Sequence, residues 1–356
     1  MMRVFKGDAC GIHDECARKQ SNLPAVAALF FTAPLIAEFL LGIFPLKMLP
    51  ILIVLAPMYG GAALLTRETV RRRGLGWLSI LILGLAYGLI EEGFATQSLF
   101  NPNYLSMNMH LLDPAYIPRL GIGGSWTVYV LTLHVVWSIA TPIALIEGLF
   151  PEKAKQPWLG RVGIAVVSAL FVAAVGAVAV ISCRKDHFLS SPMQFTSAGV
   201  LCVALIVLAL CLPHPQAEKK RGWAPNAWLS GAIALVAGSG VMMVPRTWKW
   251  GAVAFIVGVD AIFCALGIIW GQRENWNQQQ TVAMGAGAAL AYAWHAFLMG
   301  SLTGSSALSK NISHAVFALS AVVLIIAAIR RTSAFMAVCG LRTQETSLEM
   351  EEAVRS

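Results

Sequence analysis

The sequence predicts an all-α, polytopic transmembrane helix bundle of about ten spans, with the N- and C-termini cytoplasmic. Three observations predict it. Hydrophobic residues make up 57% of the 356 residues and charged residues 12%, about half of the roughly 25% charge of an ordinary soluble domain. The apolar residues come in long blocks rather than amphipathic stripes, each close to the roughly 20 residues that cross a hydrocarbon core about 30 Å thick. The basic residues alternate in number from one loop to the next. A bilayer offers backbone groups no water, so such blocks must be helices.

Along the chain the spans are expected near 24–45, 48–66, 75–100, 125–149, 162–183, 194–213, 225–245, 250–271, 281–303 and 313–330. The first two form a hairpin turned by Phe44-Pro45-Leu46-Lys47, with Pro50 just inside the second helix. Segments 1–23 and 331–356 are then a cytoplasmic head and tail, flanking a bundle over 24–330. With the N-terminus inside, the inner segments carry 19 of the 26 Lys and Arg residues and the outer segments 7. That bias has the sense of the positive-inside rule, and adding or dropping one span would scramble it. The formal charge of +8 is therefore a topology signal. Its basic residues are scattered over short loops, which argues against a nucleic-acid partner.

The polar head contains no apolar core of a cleavable signal, so the first span is expected to serve as an uncleaved anchor. Of seven cysteines, Cys183, Cys202, Cys211 and Cys264 fall in or at the ends of spans, where the residue behaves as a small apolar group. Cys10 and Cys16 flank His13, Asp14 and Glu15 in the head, at a spacing that matches no standard zinc pattern. The tail, with Glu345, Glu349, Glu351 and Glu352 among apolar residues, reads as a short surface helix. No echo between 24–183 and 194–330 marks two repeated halves. One connection is unusual. The outer loop 101–124, rich in turn formers and containing His110, Asp113, Pro114, Pro118 and Arg119, is long enough to read as a lid or binding loop.

Ionisable residues inside a bilayer cost about 2.5–3.5 kcal/mol even on the mild insertion scale, so each requires a reason. The spans hold Glu38, Glu91, Glu92, His134, Glu147, Asp260 and His295. Glu147 lies near a helix end, where it can snorkel or cap, and is set aside. The other six lie seven to ten residues from their helices' outer ends, roughly 10–15 Å deep at 1.5 Å per residue. Five helices thus place a polar layer at one depth. Gly84 and Gly88 give the third span a small-residue face for close helix approach. Tyr87, Glu91 and Ser98 share one side of it, and Glu92 and Thr96 another. His134, Ser138 and Thr141 form a stripe on the fourth span. Pro142 frees the carbonyl of Ser138, and Pro34 that of Phe30; such carbonyls are tolerated where they line a cavity. The adjacent pair Glu91-Glu92 carries most weight, because two neighbouring carboxylates in a medium of low dielectric require a shared proton or a cation.

Glu91, Glu92, His134 and His295 are therefore the candidate catalytic residues and equally the candidate ligands of a divalent metal, since imidazole and carboxylate together bind zinc or iron. Glu38, Tyr87, Ser138 and Asp260 complete the polar layer. The segment Ile90-Glu91-Glu92-Gly93-Phe94, followed by His134 and His295, resembles the glutamate-type intramembrane proteases related to CAAX-processing enzymes. That resemblance implies Glu91 or Glu92 as the water-activating base, with His134 and His295 polarising the water or the substrate carbonyl. Where that family usually places Arg or Lys after the pair, this chain has Ala95, Thr96 and Gln97. The stretches 87–93 and 134–143 are similar to an uncharacterised group of bacterial multi-span proteins, which implies membership and no activity. Three classes follow: a membrane-embedded hydrolase acting on a lipid or peptide, a proton- or cation-coupled carrier of a small solute, and a non-catalytic assembly or sensor protein. Membrane lipids are the one expected partner.

Overall fold

Each apolar block becomes one helix in the computed structural model, which describes residues 21–216, 218–300 and 304–355, with side chains described as far as residue 339. The described residues form α1 (Leu23–Leu40), α2 (Leu46–Arg72), α3 (Trp77–Ala95), α4 (Gly124–Leu149), α5 (Arg161–Asp186), α6 (Pro192–Cys211), α7 (Ala227–Met243), α8 (Trp250–Gly271), α9 (Gln278–Leu298) and α10 (Ala307–Arg355). Nine are long and apolar enough to cross a membrane, and α7 is a shorter apolar helix of 17 residues. At 1.5 Å per residue it reaches about 25 Å, the lower end of what spans a bilayer. The fold is the expected all-α polytopic bundle. The head with Cys10, His13 and Cys16 lies outside the described residues. The tail is no separate surface helix, because α10 runs on without a break to Arg355.

Three helices change pitch where the sequence places polar residues. Leu35–Leu40 in α1, Glu91–Ala95 in α3 and His134–Ala140 in α4 are π-helical. Such wide turns are rare and concentrate at functional sites. Two sit beside a proline. Pro34 immediately precedes the first, and Pro142 follows the third within α4. A proline lacks the N–H of the α ladder and crowds the carbonyl four residues back; for Pro142 that carbonyl is Ser138, inside the third wide turn, whereas for Pro34 it is Phe30, in the α-helical stretch ahead of the first. The carbonyl of Phe30, freed by Pro34, lines no cavity. It packs on Gly60 of α2, where any Cβ would overlap it.

Helices α1 and α3 end about a turn earlier than expected, at Leu40 and Ala95 rather than at 45 and 100. The chain turns through left-handed residues just beyond, at Gly42 (φ +95°) and Gln97 (φ +55°). Residues 96–101 then run as buried irregular chain, which is tolerated at membrane depth only when covered by protein. The 101–124 loop contains a short hairpin, β1 (Tyr116–Ile117) paired antiparallel with β2 (Ile122–Gly123).

Helices α3, α4 and α9 form the centre, whereas α5, α6 and α8 present mostly apolar side chains to the outside. Gly231 of α7 and Gly287 of α9 bring two backbones into direct contact, and Trp137 stacks on Tyr292 at 4.3 Å while donating to the Ala288 carbonyl. Gly84 and Gly88 make the expected close face: a Cβ on Gly88 would meet Leu131 Cδ2 at 3.0 Å and His134 Cβ at 3.2 Å. Gly88→Ala is expected to destabilise the bundle by about 1–3 kcal/mol through overpacking. Gly176→Ala, whose added carbon meets nothing within 4 Å, serves as the control in a thermal unfolding series.

At the opposite end of α2, Glu147 and the 67–74 segment depart from expectation. Helix α2 continues through Arg72, and Arg67 is fully buried. Arg67 Nε lies 2.9 Å from Glu147 Oε1, and Arg71 holds both Glu147 oxygens at 2.7 Å. The Arg67 guanidinium also lies 3.3 Å from the centre of the Trp158 ring and donates to the carbonyls of Lys153, Ala154 and Gln156. Glu68 accepts from the backbone N–H groups of Trp158 and Leu159. Glu147 is thus the centre of a buried ion-pair network rather than a snorkelling cap.

Candidate functional site

The three π-helical turns converge. Glu38 comes from the first, Glu91 and Glu92 from the second, and His134 and Ser138 from the third. His134 Nε2 lies 2.7 Å from Glu92 Oε1, and His134 Nδ1 lies 3.2 Å from Glu91 Oε2 and 3.1 Å from Ser138 Oγ. The ring is walled by Tyr87, edge-on at 5.6 Å, and by Tyr59 at 6.3 Å. Glu91, Glu92 and His134 are all buried, and one ligand atom from each lies within 4.8 Å of the others.

The two glutamates have different surroundings. Glu92 Oε2 accepts from Thr96 Oγ1 at 2.8 Å and from Ser98 Oγ, and Oε1 faces the imidazole. Ser98 in turn accepts from Trp126 Nε1 at 3.0 Å. Glu92 is therefore saturated, as a buried carboxylate must be to stay charged. Glu91 Oε1 is bonded to the Tyr59 hydroxyl, whereas its Oε2 lies 3.2 Å from His134 Nδ1 and has no hydrogen bond of good geometry. The Tyr87 hydroxyl faces Glu91 without closing such a bond either. On the far side, Tyr59 is also hydrogen-bonded to Glu38 Oε1.

Of the expected site residues, Glu91, Glu92, His134, Glu38, Tyr87 and Ser138 come together, and His295 and Asp260 stand apart. His295, on α9, packs its ring edge-on against Trp294, and its Nδ1 is buried without a hydrogen-bond partner among the described residues. Asp260, on α8, accepts from Thr132 Oγ1 at 2.6 Å. Equal depth in the bilayer does not imply the same azimuth round the bundle, so depth alone joined them to the layer. Ser98 also changes partner. A regular helix would place it on the Glu91 side, but the π turn and the left-handed Gln97 carry it to Glu92. Tyr59 is not apparent from sequence, because a tyrosine in an apolar span is unremarkable by composition. Its signal is the neighbouring Gly60-Gly61 pair, which marks a face of α2 pressed against other helices.

The 101–124 loop lies over this end of the bundle. Asp186 at the end of α5 ties it down, accepting from Asn101 Nδ2 at 2.8 Å and from the Leu105 N–H at 3.0 Å. Burial, and then the negative charge of Glu92, Glu38 and Glu91, holds the Tyr104 phenol well above its ordinary range, so the loop places Tyr104 within electrostatic reach of the cluster. Leu105, Ser106, Asn108, His110 and Ala115 all adopt left-handed φ.

No curated protein and no solved structure matches the chain. A model of an uncharacterized membrane protein family matches residues 28–351, a stretch that takes in most or all of each of the ten helices and the whole Glu/His cluster, and the chain belongs to that family.

Proposed function

We propose that this multi-pass membrane protein, set in a bacterial cytoplasmic membrane, is a membrane-embedded hydrolase in which Glu91 is the general base and His134 its partner. The observation that supports it most is the asymmetry of the glutamate pair. Glu92 accepts from Thr96 and Ser98 and holds the imidazole at Nε2, while Glu91 has one oxygen, 3.2 Å from Nδ1, that closes no hydrogen bond of good geometry. A base must have a free lone pair within reach of the proton it takes. A water bound to Glu91 Oε2 beside His134, once their 3.2 Å contact opens, would give its proton to Glu91 as it attacks an acyl carbon, and the imidazolium would stabilise the developing oxyanion. The buried apolar setting suits a lipid or peptide substrate that arrives from the bilayer.

Isotope labelling tests this with a mixture of candidate substrates. Purified protein in vesicles of bacterial polar lipid and membrane peptide extract, incubated in ¹⁸O-water, should yield products carrying one ¹⁸O in a new carboxylate. Glu91→Gln should not. Equal labelling by the two proteins rejects the hydrolase, and uptake into vesicles driven by a proton or sodium gradient would favour the carrier instead.

A divalent ion is the second reading, carried by the three ligand atoms within 4.8 Å. Glu91 and Glu92 address opposite ring nitrogens, so an ion on either nitrogen displaces one of those contacts. Elemental analysis decides it. Stoichiometric zinc, iron or manganese that disappears in both Glu91→Gln and Glu92→Gln identifies a metal centre, and its absence from wild type leaves the acid–base form.

A further inference from the structure

We propose that the end of the bundle away from the 101–124 loop carries a binding site for the phosphate of an anionic lipid headgroup, built by Lys155, Lys219, Lys220 and Arg221. These cations are scattered along the chain, and the fold gathers them. Residues 212–226 join α6 to α7, and residues 272–277 join α8 to α9. Backbone hydrogen bonds lace the two connections together. The Lys220 N–H donates to the Gln272 carbonyl at 2.8 Å, and the Glu274 N–H donates to the Lys220 carbonyl at 3.2 Å. Side chains reinforce the join, with Lys219 Nζ donating to the Trp276 carbonyl and Arg273 Nη1 to the Arg221 carbonyl at 3.1 Å. So close an approach requires Gly222 (φ +150°), since a Cβ there would lie 2.6 Å from Arg273 Nη1. His214 Nδ1 lies 3.3 Å from the Gly74 carbonyl, which sets the whole assembly at the α2–α3 end of the bundle.

The gathered charge is left unneutralised. Glu218 and Glu274 are the acids of these two connections, yet among the described residues none of Lys155, Lys219, Lys220, Arg221 and Arg273 is ion-paired. Partial burial, and then the like charge of Lys155, pull the Lys219 ammonium below its ordinary range. Lys155, from the α4–α5 connection, is thus within electrostatic reach of the other cations. Like charges held together without a counter-charge focus the field that attracts an anion.

The surrounding tryptophans indicate which anion. Trp223 and Trp228 are 66% and 89% exposed. Trp270 is buried, with Trp223 edge-on to it at 6.3 Å and Trp276 stacked on it at 5.7 Å. Exposed indoles at the ends of apolar helices belong at the level where headgroups meet acyl chains. The last turns of α8 present Ile268 and Ile269 to the outside beside them, a surface for the chains of the same lipid. A basic pocket between spans, at headgroup level, is how membrane proteins hold anionic lipids. The site is separate from the Glu/His cluster and stands whether or not that cluster is hydrolytic.

Native mass spectrometry of the full-length protein in a non-ionic detergent tests it. The probes are phosphatidylglycerol, phosphatidylcholine with the same acyl chains, and inorganic phosphate. Wild type should retain a single phosphatidylglycerol at a concentration about tenfold below that needed for phosphatidylcholine. Lys220→Gln with Arg221→Gln should raise that concentration on the order of tenfold, the effect of removing two cations near a headgroup. Arg119→Gln with Arg184→Gln removes the same charge from exposed residues at the other end and should leave it unchanged. Equal retention of the two lipids, wild-type retention by the Lys220/Arg221 variant, or equal losses in the two double variants overturns the site. Retention of inorganic phosphate without phosphatidylglycerol also overturns it, by identifying a soluble anion as the occupant. Lys155→Gln with Lys219→Gln, changing two exposed side chains, decides the matter by the same criteria if the first double variant does not fold.

Discussion

Glu147→Gln is expected to destabilise the folded chain by about 3–5 kcal/mol, the usual result of removing one partner from a buried ion pair. The cost comes from what is left behind. Arg67 is fully buried, and its Nε faces Glu147 Oε1 at 2.9 Å. The carbonyls of Lys153, Ala154 and Gln156 all lie on its NH2 group, so they satisfy hydrogen bonds there without neutralising the charge. Arg71 is better placed to escape, since its side chain is 11% exposed. The double variant Arg67→Met with Glu147→Leu should recover most of the loss, because an apolar pair of similar volume often matches a buried ion pair. Thermal unfolding in detergent of Arg67→Met, Glu147→Leu and the double variant measures the coupling. Additive effects would show that Glu147 and Arg67 do not act as a pair.

The second large effect separates the two glutamates. Glu91→Gln should lower ¹⁸O incorporation by about 10²–10⁴-fold, the usual contribution of a general base. Glu92→Gln should lower it too, but by a different route. Glutamine can still accept from Thr96 and Ser98, but its amide cannot serve both those hydroxyls and the His134 Nε2–H as a carboxylate does. The imidazolium then loses its hold at Nε2. ¹⁵N NMR of the His134 ring distinguishes the two: the Nε2–H signal should shift in Glu92→Gln and stay close to wild type in Glu91→Gln. Identical spectra for the two variants would remove the distinction between base and holder.

The sequence made the helices legible because hydrocarbon thickness sets their length, and composition alone reveals a block of that length. It made Glu91, Glu92 and His134 legible because buried charge is expensive and so seldom accidental. It misled where depth stood in for position. Asp260 and His295 share the depth of the cluster but sit on α8 and α9, turned toward other neighbours. Charge counting misled in a related way. Arg67 and Arg71 count as loop residues reporting orientation, yet both belong to α2 and neutralise Glu147. An arginine at a helix end can hold the chain in the membrane or hold the protein together, and sequence does not separate the two uses. Tyr59 was hidden for the opposite reason: a phenol is cheap to bury, so nothing in the composition flagged it.

The three π turns carry one more implication. A π turn holds a surplus residue relative to the α ladder, and each residue advances a helix by about 100°. If one residue were deleted from each of 35–40, 91–95 and 134–140, the helices would keep their apolar length and still span. Everything beyond each deletion would point a quarter-turn or more away. The bundle would survive, while the carboxylates, the imidazole and their partners would face different neighbours. In this protein the site is written in the phase of three helices as much as in the identity of their residues, and a family member shorter by a residue at those places would share the fold without sharing the chemistry.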